Sequence, residues 1–406
     1  MTELTIERLG HLGDGIAEGP VYVPGALPGE RVTGTREGDV LRDMRILTPS
    51  ADRVAPPCPH ARACGGCQLQ HAADGFVAEW KRDAVRQALA QQGIAADPDL
   101  PITSPPRSRR RAAFSVRRTK KGALAGFHMK ASDVIIAVPN CILVHPELVA
   151  ALPMVEALGV AGASRKGELS VLVTLTETGL DVAVQGGKPL DTTLHQSLAE
   201  IARAHDLARI AWDGEIALQR RAPVLRLGRA EVTLPPGAFL QATREGETAL
   251  VDAVKQALTG AKRVVDLFAG CGTFALPLTE SAPVHAVEGD RAMMRALDHA
   301  WRNTEGLKRI THEARDLFRD PLLPEELSRF DAVVIDPPRA GAAAQVAQVA
   351  KAAVPRIAHV SCNPATFARD TATLIAAGYD LEWVRVVDQF RWSTHVELVA
   401  LLRRRS

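Results

Sequence analysis

The chain of 406 residues has few features that would tie it to a membrane, to secretion or to a strongly charged partner. No apolar run approaches the roughly 20 residues that a membrane-spanning helix needs. The N-terminus has neither the basic start nor the apolar stretch of a signal peptide. The formal net charge is only +2 and aromatic residues make up 4%, so overall composition indicates no particular partner. These absences predict a cytoplasmic protein without a membrane segment.

Cysteine is also scarce, and its six occurrences are unevenly distributed. Cys58, Cys64 and Cys67 are clustered, and Cys141 follows much later. In a cytosolic chain of this length, such a cluster indicates metal binding or catalysis rather than disulfides. Four cysteines satisfy either zinc or an iron–sulfur cluster. Zinc sites usually pair two C-x2-C knuckles, so three clustered cysteines with one distant cysteine favour iron–sulfur.

Positive charge is concentrated in one segment. Between residues 107 and 121 there are eight basic side chains and no acidic one. Two interpretations are open: a strand edge protected by charge, or a surface that contacts phosphate groups. Phe114 and Phe127 lie nearby, but two aromatic rings are too few to predict a base-stacking platform.

The length predicts two or three domains, and the patterns predict a multidomain α/β protein with three parts. Residues 1–54 show short strand-like runs separated by Gly and Pro, which predicts a small β-barrel. Residues 55–235 contain the cysteine cluster, helices over 76–92 and 194–205, and several strand-like runs, which predicts a central α+β domain. Residues 236–406 alternate strands with helices, which predicts a Rossmann-like, mostly parallel sheet with ligands at the carboxyl ends of its strands.

The sequence VVDLFAGCGTF predicts a buried strand ending near Asp266, then a turn with Gly270 and Gly272 that opens a helix. Glycines allow close backbone approach to a ligand and positive φ angles. No third glycine stands where the dinucleotide fingerprint requires it. Glu288 ends the next predicted strand, where a carboxylate can accept both ribose hydroxyls, and Asp316 follows a third strand-like stretch near the expected adenine. This combination favours S-adenosylmethionine over another nucleotide.

A second motif, Asp336-Pro337-Pro338-Arg339, closes the predicted fourth strand. The prolines stiffen this loop. The loop is either a rigid turn capped by Asp336, or it holds the Asp336 carboxylate facing the ligand cleft. A related D/N-P-P-aromatic motif serves methyltransferases that act on exocyclic amino groups. Arg339 stands at the position of the aromatic residue, which argues against amine chemistry.

The most specific chemical signal is a cysteine followed by a glutamate near the C-terminus. Cys362 lies in Ser361-Cys362-Asn363-Pro364, at the carboxyl end of a predicted strand. A lone cysteine is commonly buried and inert, but this placement favours a nucleophile in a site that promotes thiolate formation. Glu397 lies in an apolar predicted strand, where a carboxylate is costly unless it is used or paired. A raised pKa would suit it to proton abstraction.

A methyltransferase needs a thiol when its target is a ring carbon of low nucleophilicity, such as carbon 5 of a pyrimidine. The thiol adds to carbon 6, the ring becomes an enolate, carbon 5 attacks the methyl group, and a base removes the proton. The two residues therefore predict pyrimidine carbon methylation.

Together and in this order, the motifs resemble those of the S-adenosylmethionine-dependent RNA uracil-5-methyltransferases. They are most similar to the bacterial 23S ribosomal RNA 5-methyluridine enzymes that carry an iron–sulfur cluster, over nearly the whole chain. The sequence VPGALPGE at 23–30 resembles the core of the TRAM domain, an OB-like RNA-binding barrel. The resemblance implies a [4Fe–4S] cluster held by four cysteines: Cys58, Cys64, Cys67 and Cys141.

The resemblance also implies roles for residues of the C-terminal part. Phe239-Leu240-Gln241 is similar to the F-x-Q segment, whose glutamine contacts S-adenosylmethionine, and SCNPATFARD at 361–370 is similar to the nucleophile segment. Glu397 matches the general base. Arg391-Trp392-Ser393 departs from the usual Pro-x-Thr, close to that base. The full set of expected S-adenosylmethionine ligands is Gln241, Asp266, Gly270, Gly272, Glu288, Asp316 and Asp336.

We therefore predict a monomeric enzyme that methylates carbon 5 of a specific uridine in 23S ribosomal RNA. Cys362 attacks carbon 6 of a flipped-out base, Asp336 hydrogen-bonds the uracil edge, and Glu397 removes the proton. One alternative is a transfer RNA uridine-5-methyltransferase, although such bacterial enzymes typically lack the barrel and the cluster. From a different class, the alternative is an RNA-binding iron–sulfur sensor without catalysis, against which the intact Cys362 and Glu397 argue.

Overall fold

The computed structural model describes residues 2–405, and its N-terminal strands form a closed five-stranded barrel in the order β1-β2-β3-β5-β4. Ile6, Val21 and Val32 fill its small apolar core. At Gly34 a Cβ atom would lie 2.4 Å from the carbonyl oxygen of Arg42, so this close strand pairing requires glycine. The predicted small barrel is confirmed. Its strands are β1 (Thr2–Leu9), β2 (Gly15–Ala17), β3 (Val21–Val23), β4 (Arg31–Glu37) and β5 (Val40–Thr48).

The segment after the barrel contains the cysteine-rich loop and one long helix, α1 (Asp74–Ala90), followed by the short strand β6 (Ile102–Thr103). The predicted helix over 76–92 matches α1 to within two residues. The helix buries Val77, Val85 and Leu89 together with Lys81, a position at which a lysine requires a partner.

The central part is a seven-stranded sheet in the order β13-β12-β11-β10-β7-β8-β9, with a separate hairpin of β14 and β15. Helices α3 and α4 contribute to the core of this part through Leu158 and Leu198. The basic segment runs along β7. The elements are β7 (Arg111–Arg118), β8 (Ala123–His128), β9 (Ile135–Ile136), α2 (Pro146–Ala150), α3 (Leu152–Gly162), β10 (Glu168–Thr176), β11 (Gly179–Gln185), α4 (Thr192–Ala204), β12 (Arg209–Trp212), β13 (Glu215–Gln219), β14 (Val224–Leu227) and β15 (Ala230–Thr233).

The C-terminal part is an eight-stranded sheet in the order β18-β17-β16-β19-β20-β22-β21-β6. Strands β16 to β20 are parallel, and β22 is antiparallel to its neighbours β20 and β21. The predicted Rossmann-like sheet is confirmed. Its elements are α5 (Arg244–Ala257), β16 (Val264–Leu267), α6 (Ala275–Leu278), β17 (Val284–Glu288), α7 (Arg291–Arg302), β18 (Ile310–Ala314), α8 (Pro324–Leu327), β19 (Ala332–Ile335), α9 (Ala343–Ala352), β20 (Arg356–Ser361), α10 (Pro364–Ala376), β21 (Tyr379–Asp388) and β22 (Glu397–Arg404).

The segment between the barrel and the central sheet joins the C-terminal sheet. Strand β6 pairs with β21, with Ile102 opposite Val387. Val85 and Leu89 of α1 belong to the same apolar cluster as Leu398 of β22. The second half of α1 and strand β6 therefore pack with the C-terminal sheet, although the prediction assigned them to a central domain. The domain boundaries at 54 and 235 stay predictions. Among the helices of residues 2–405, none combines the length and the apolar character needed to cross a bilayer.

Candidate active site

The predicted catalytic residues meet at one edge of the C-terminal sheet. Asp336 directly follows β19, and Cys362 directly follows the neighbouring parallel strand β20. Glu397 begins β22, which pairs with β20 so that Leu398 lies opposite Ser361. The Asn363 side chain caps α10 by accepting from the Ala365 N–H at 3.1 Å, and its Nδ2 donates to the Arg339 carbonyl at 3.0 Å. This bond ties the loop of Cys362 to the loop of Asp336.

The three groups affect one another electrostatically. Glu397 is 4% exposed, and burial together with the nearby Asp336 raises its pKa to about 8. Burial raises the pKa of Asp336 to about 7. Burial, followed by Glu397 and Asp336, raises the pKa of the half-buried Cys362 to about 11, and Arg339 opposes that rise. At neutral pH the free protein therefore holds a neutral thiol beside two carboxyl groups that titrate close to neutrality, which is the range suited to proton transfer.

A buried amide network joins Glu397 to the F-x-Q segment. Gln389, just after β21, donates from Nε2 to Glu397 Oε2 at 3.1 Å and to Gln241 Oε1 at 2.5 Å. Its Oε1 accepts the Ala242 N–H at 2.7 Å. Gln389 was not predicted from the sequence, because no local signal distinguishes it from other polar residues at a strand end.

The glycine-rich loop after β16 has the backbone geometry expected of a ligand loop. Gly270 and Gly272 have φ angles of 56° and 99°. A Cβ atom on Gly272 would lie 2.9 Å from Leu276, whereas one on Gly270 would have no heavy atom within 4 Å and faces open space. Glu288 accepts the Gly270 N–H at 3.1 Å on Oε2 and the Asp290 N–H at 3.0 Å on Oε1. Each carboxylate oxygen keeps lone-pair capacity for a hydroxyl group.

The other two predicted acidic ligands differ in exposure. Asp266 is 0% exposed, and the backbone N–H of Ala275 is the one hydrogen-bonding group near its carboxyl oxygens within residues 2–405. Burial, followed by Asp336, raises its pKa well above the usual value. Asp266 therefore lies beneath the cleft surface, where burial disfavours its charged form. Asp316 is exposed, accepts the Phe318 N–H at 3.0 Å, and lies beside the Phe318–Phe268 ring pair, whose centroids are 5.4 Å apart.

Comparison with known proteins finds similarity in both sequence and fold. The tRNA (Uracil-5-)-methyltransferase family model matches residues 233–405. An uncharacterized RNA methyltransferase of Mesorhizobium japonicum is 46% identical over 401 residues, covering 98% of this chain and 97% of its own. The 23S rRNA (uracil(1939)-C(5))-methyltransferase RlmD of Halomonas elongata is 34% identical, covering 98% of this chain and 89% of its own.

The chain belongs to the RNA uracil-5-methyltransferase family. It is an S-adenosylmethionine-dependent RNA methyltransferase, as predicted. Among solved structures, the Pyrococcus abyssi tRNA (uracil-54, C5)-methyltransferase in complex with S-adenosyl-L-homocysteine has a TM-score of 0.76 at 22% identity, covering 98% of this chain and 99% of that one. That similarity supports the barrel and the Rossmann-like sheet as parts of one shared fold.

The four predicted ligand cysteines of this methyltransferase line one small cavity between the cysteine-rich loop and the central sheet. The apolar side chains of Phe127 and Val138 line the same cavity. Burial raises the pKa of Cys67 to about 12, and the charges of the other three cysteines act on it. Within the described residues, no group of three or more His, Cys, Asp or Glu has the arrangement of a metal site. The four thiols therefore share a cavity with the right donor chemistry, without the geometry of bound metal.

The basic segment of the methyltransferase divides between internal and external roles. Arg110 is 5% exposed, and its Nη2 lies 2.6 Å from Glu247 Oε2 while its Nε donates to the Gln241 carbonyl at 3.2 Å. It supports the F-x-Q segment from inside the protein, so neither interpretation of the basic run applies to it. Arg117 pairs with Glu168 at 2.8 Å. The exposed cations that can meet a phosphate backbone are Arg107, Arg118, Lys120 and Lys121.

Proposed function

We propose that this methyltransferase transfers a methyl group from S-adenosylmethionine to carbon 5 of a specific uridine in 23S ribosomal RNA. The observation that carries the chemistry is the meeting of Cys362, Asp336 and Glu397 at one strand edge beside the glycine-rich loop. The choice of 23S RNA is supported by the Halomonas elongata relative, whose name specifies that substrate and which matches along 98% of this chain.

The first step is the addition of Cys362 Sγ to carbon 6 of a uridine that has left its stack. Because burial keeps the thiol neutral, its proton must leave as the sulfur attacks. The Asp336 carboxylate accepts that proton. As a neutral acid it then donates a hydrogen bond to the uracil carbonyl oxygen on carbon 4, which stabilises the enolate. A pKa near 7 allows Asp336 to take both forms.

The second step is methylation and release. Carbon 5 of the enolate would attack the methyl group of bound S-adenosylmethionine, the bond between that methyl group and the sulfonium sulfur would break, and S-adenosylhomocysteine would be the leaving group. Glu397 then takes the proton from carbon 5, the bond between carbon 6 and sulfur breaks, and Cys362 leaves with a proton returned from Asp336. The raised pKa of Glu397 makes its carboxylate a stronger base than an exposed glutamate.

The proposed methyl-donor site lies along the same edge. Gly270 offers open space for close backbone approach, Glu288 has capacity for the ribose hydroxyls, and the exposed Asp316 with Phe318 forms an edge on which a purine ring can pack. Gln241 closes the site on the side of Glu397. Gly272 and Asp266 shape the loop from beneath.

We further propose that the four-cysteine cavity holds a [4Fe–4S] cluster, with Cys58, Cys64, Cys67 and Cys141 as ligands. Four thiols that line one small cavity supply the donor set that such a group requires. Burial lowers the pKa of Arg109, and the charges of Cys67 and Cys141 oppose that lowering, so this guanidinium lies near two of the four ligands. Uracil methylation has no redox step, so the cluster would organise the surrounding loops.

The proposed architecture is a TRAM-like RNA-binding barrel over residues 1–54, a cluster-bearing part over 55–235 and the methyltransferase part over 236–406. The barrel order and its closure support the first assignment. Transfer RNA is the second candidate substrate, favoured by the family model and by the Pyrococcus abyssi structure, whose names specify tRNA.

The test is methylation of ribosomal and transfer RNA taken from a strain deleted for this gene. Purified protein and labelled S-adenosylmethionine are incubated with each RNA, and the product is mapped by mass spectrometry. We expect 5-methyluridine at one site in 23S RNA. Product only in transfer RNA would overturn the substrate and leave the chemistry standing. No product on either RNA would favour an RNA-binding iron–sulfur protein without catalysis.

A further inference from the structure

One buried side chain joins two groups that serve different reactants in the proposed function. Gln389 Nε2 lies 3.1 Å from Oε2 of the base Glu397 and 2.5 Å from Oε1 of Gln241. Its own Oε1 lies 2.7 Å from the backbone nitrogen of Ala242. The three side chains are all nearly inaccessible, with Gln241 and Gln389 each 2% exposed and Glu397 4% exposed.

The backbone N–H of Ala242 determines how these amides are oriented. A backbone N–H can only donate, so the atom of Gln389 that faces it must be the amide oxygen. The amino group of Gln389 then faces the other two residues and supplies one N–H to each. The atom of Gln241 that faces this amino group must be an oxygen, because a second amino group there could not accept. One main-chain donor therefore removes the usual ambiguity between amide oxygen and nitrogen.

This orientation leaves one specific atom of each partner for the reactants. Gln241 Nε2 and Glu397 Oε1 have no hydrogen-bond partner within residues 2–405, whereas Gln241 Oε1 and Glu397 Oε2 are both occupied by Gln389. Gln241 thus offers a donor to the cleft, and Glu397 offers its Oε1 as the proton acceptor.

We propose that Gln389 is a positioning residue with two effects: it directs the amino group of Gln241 toward the methyl donor, and it reserves Oε1 of Glu397 for the carbon 5 proton. This assignment rests on the proposed function. Gln389 itself touches neither reactant in this assignment and acts through its two partners.

The backbone on both sides of Gln389 is held by a buried lysine. Lys81 of α1 is 0% exposed, and its Nζ donates to Asp388 Oδ1 at 2.6 Å and to the Phe390 carbonyl at 3.2 Å. Asp388 Oδ1 also accepts the Phe390 N–H at 3.1 Å. Gly246 provides the space for the side chain, since a Cβ atom there would lie 2.6 Å from the Gln389 Cβ. Gln389 is therefore anchored on a rigid support.

The charged surroundings of Glu397 make the contribution of Gln389 measurable. Asp336, after β19, and Cys362, after β20, are the titratable groups that interact with Glu397, and the charge of Asp336 raises the pKa of Glu397 in addition to burial. The hydrogen bond from Gln389 opposes both effects. No cation forms an ion pair with Glu397 in the described part of the chain, so removing the amide should raise the pKa of Glu397 further.

The experiment uses Gln389→Met, which keeps the length of the side chain and removes its donors and acceptor. We expect the ascending limb of kcat against pH to move to higher pH by about one pH unit, with about a tenfold lower kcat at pH 7. We also expect S-adenosylmethionine affinity, measured by calorimetry, to fall severalfold, because the Gln241 amide loses its fixed orientation. Gln389→Asn, whose amide is too short to reach both partners, should change both quantities in the same direction.

The matched control is Gln345→Met on α9. Gln345 is 0% exposed, and its amide bonds the Leu322 backbone at 2.8 and 3.2 Å, with no hydrogen bond to Gln241, Gln389 or Glu397 within residues 2–405. The Gln345→Met substitution should lower the stability of the protein and leave the profile of kcat against pH unchanged. A Gln389→Met enzyme that is slower with an unmoved profile and unchanged affinity would overturn the positioning role. If the wild type methylates no RNA, the proposed function fails. Equal S-adenosylmethionine affinity in Gln389→Met and the wild type would then overturn the assignment of Gln241 as well.

Discussion

Replacing the base by its amide, Glu397→Gln, should stabilise the protein in a pH-dependent way. Burial, then Asp336, raises the pKa of Glu397 from 4.5 to about 8. When folding raises the pKa of an acid, the acid costs no stability at pH values below its pKa in the unfolded chain. The free energy of unfolding then falls as pH rises from that value to the pKa in the folded protein. Glutamine does not ionise in either state, so the variant avoids the penalty that builds up between pH 4.5 and about 8.

The magnitude follows from that interval. At pH 7 the unfolded chain has ionised Glu397 while the folded protein keeps it mostly protonated. The interval from 4.5 to 7 corresponds to about 3 kcal/mol, at about 1.4 kcal/mol for each pH unit. The residue is only 4% exposed, so solvent screening reduces this figure little. A glutamine can still accept the N–H of Gln389, so the substitution removes the charge and little else.

The assay is thermal unfolding of the wild type and Glu397→Gln from pH 5 to pH 8.5, following the transition of the C-terminal sheet. The gain in Tm of the variant should be small at pH 5 and grow steadily toward pH 8. Glu215→Gln, at an exposed position on β13, is the control and should follow the wild type at every pH. A gain that does not depend on pH, or a variant less stable than the wild type at pH 8, would refute the account of a buried, destabilised carboxyl.

Four further substitutions test three other parts of the structure. Lys81→Met should cost about 3–5 kcal/mol in urea unfolding, because it leaves the Asp388 charge buried without its partner; full stability would contradict the role of this ion pair. Gly272→Ala should lower the free energy of unfolding by about 1–3 kcal/mol, since the residue has φ 99° and no room for a Cβ atom. Gly270→Ala should lower it by at most about 1 kcal/mol and weaken S-adenosylmethionine binding in calorimetry. A larger loss of stability in Gly270→Ala than in Gly272→Ala would contradict the description of this loop. Cys67→Ser should lose the iron and sulfide that chemical analysis finds in anaerobically purified wild type; zinc in place of iron in the wild type would contradict the cluster.

The positions of the chemical groups along the C-terminal sheet were predictable from sequence. Short apolar runs alternating with helical periodicity predict parallel strands, and the carboxyl ends of such strands meet at one edge. Asp336 directly follows a fully buried strand, and Cys362 directly follows a strand in which only the first residue is partly exposed, so their proximity follows from the pattern alone. The helix α10 was missed, although Asn363 at its N-cap and Pro364 at its first position are recognised start signals.

The contacts that support the site were not predictable, because they join residues far apart in sequence. Lys81 and Asp388 are separated by 307 positions, and Arg110 and Glu247 by 137. A buried lysine at a helical position looks like any exposed lysine until its partner is known. Strand β21 was also missed, because its alternation of polar and apolar residues is interrupted and its pairing depends on β22 on one side and β6 on the other. The position of Gln389 beside Gln241 and Glu397 depends on the pairing of β21 with β22, so its role could not be predicted from local sequence.

The most direct test of the central claim is to look for a covalent complex between Cys362 and RNA. Glu397→Gln, Cys362→Ala and the wild type are incubated with unmethylated 23S RNA and S-adenosylmethionine, denatured, and analysed by gel and by mass spectrometry of the peptide that contains Cys362. We predict that Glu397→Gln accumulates an adduct of Cys362 with a methylated uridine, and that Cys362→Ala forms neither adduct nor product. Methylation by Cys362→Ala would contradict the mechanism.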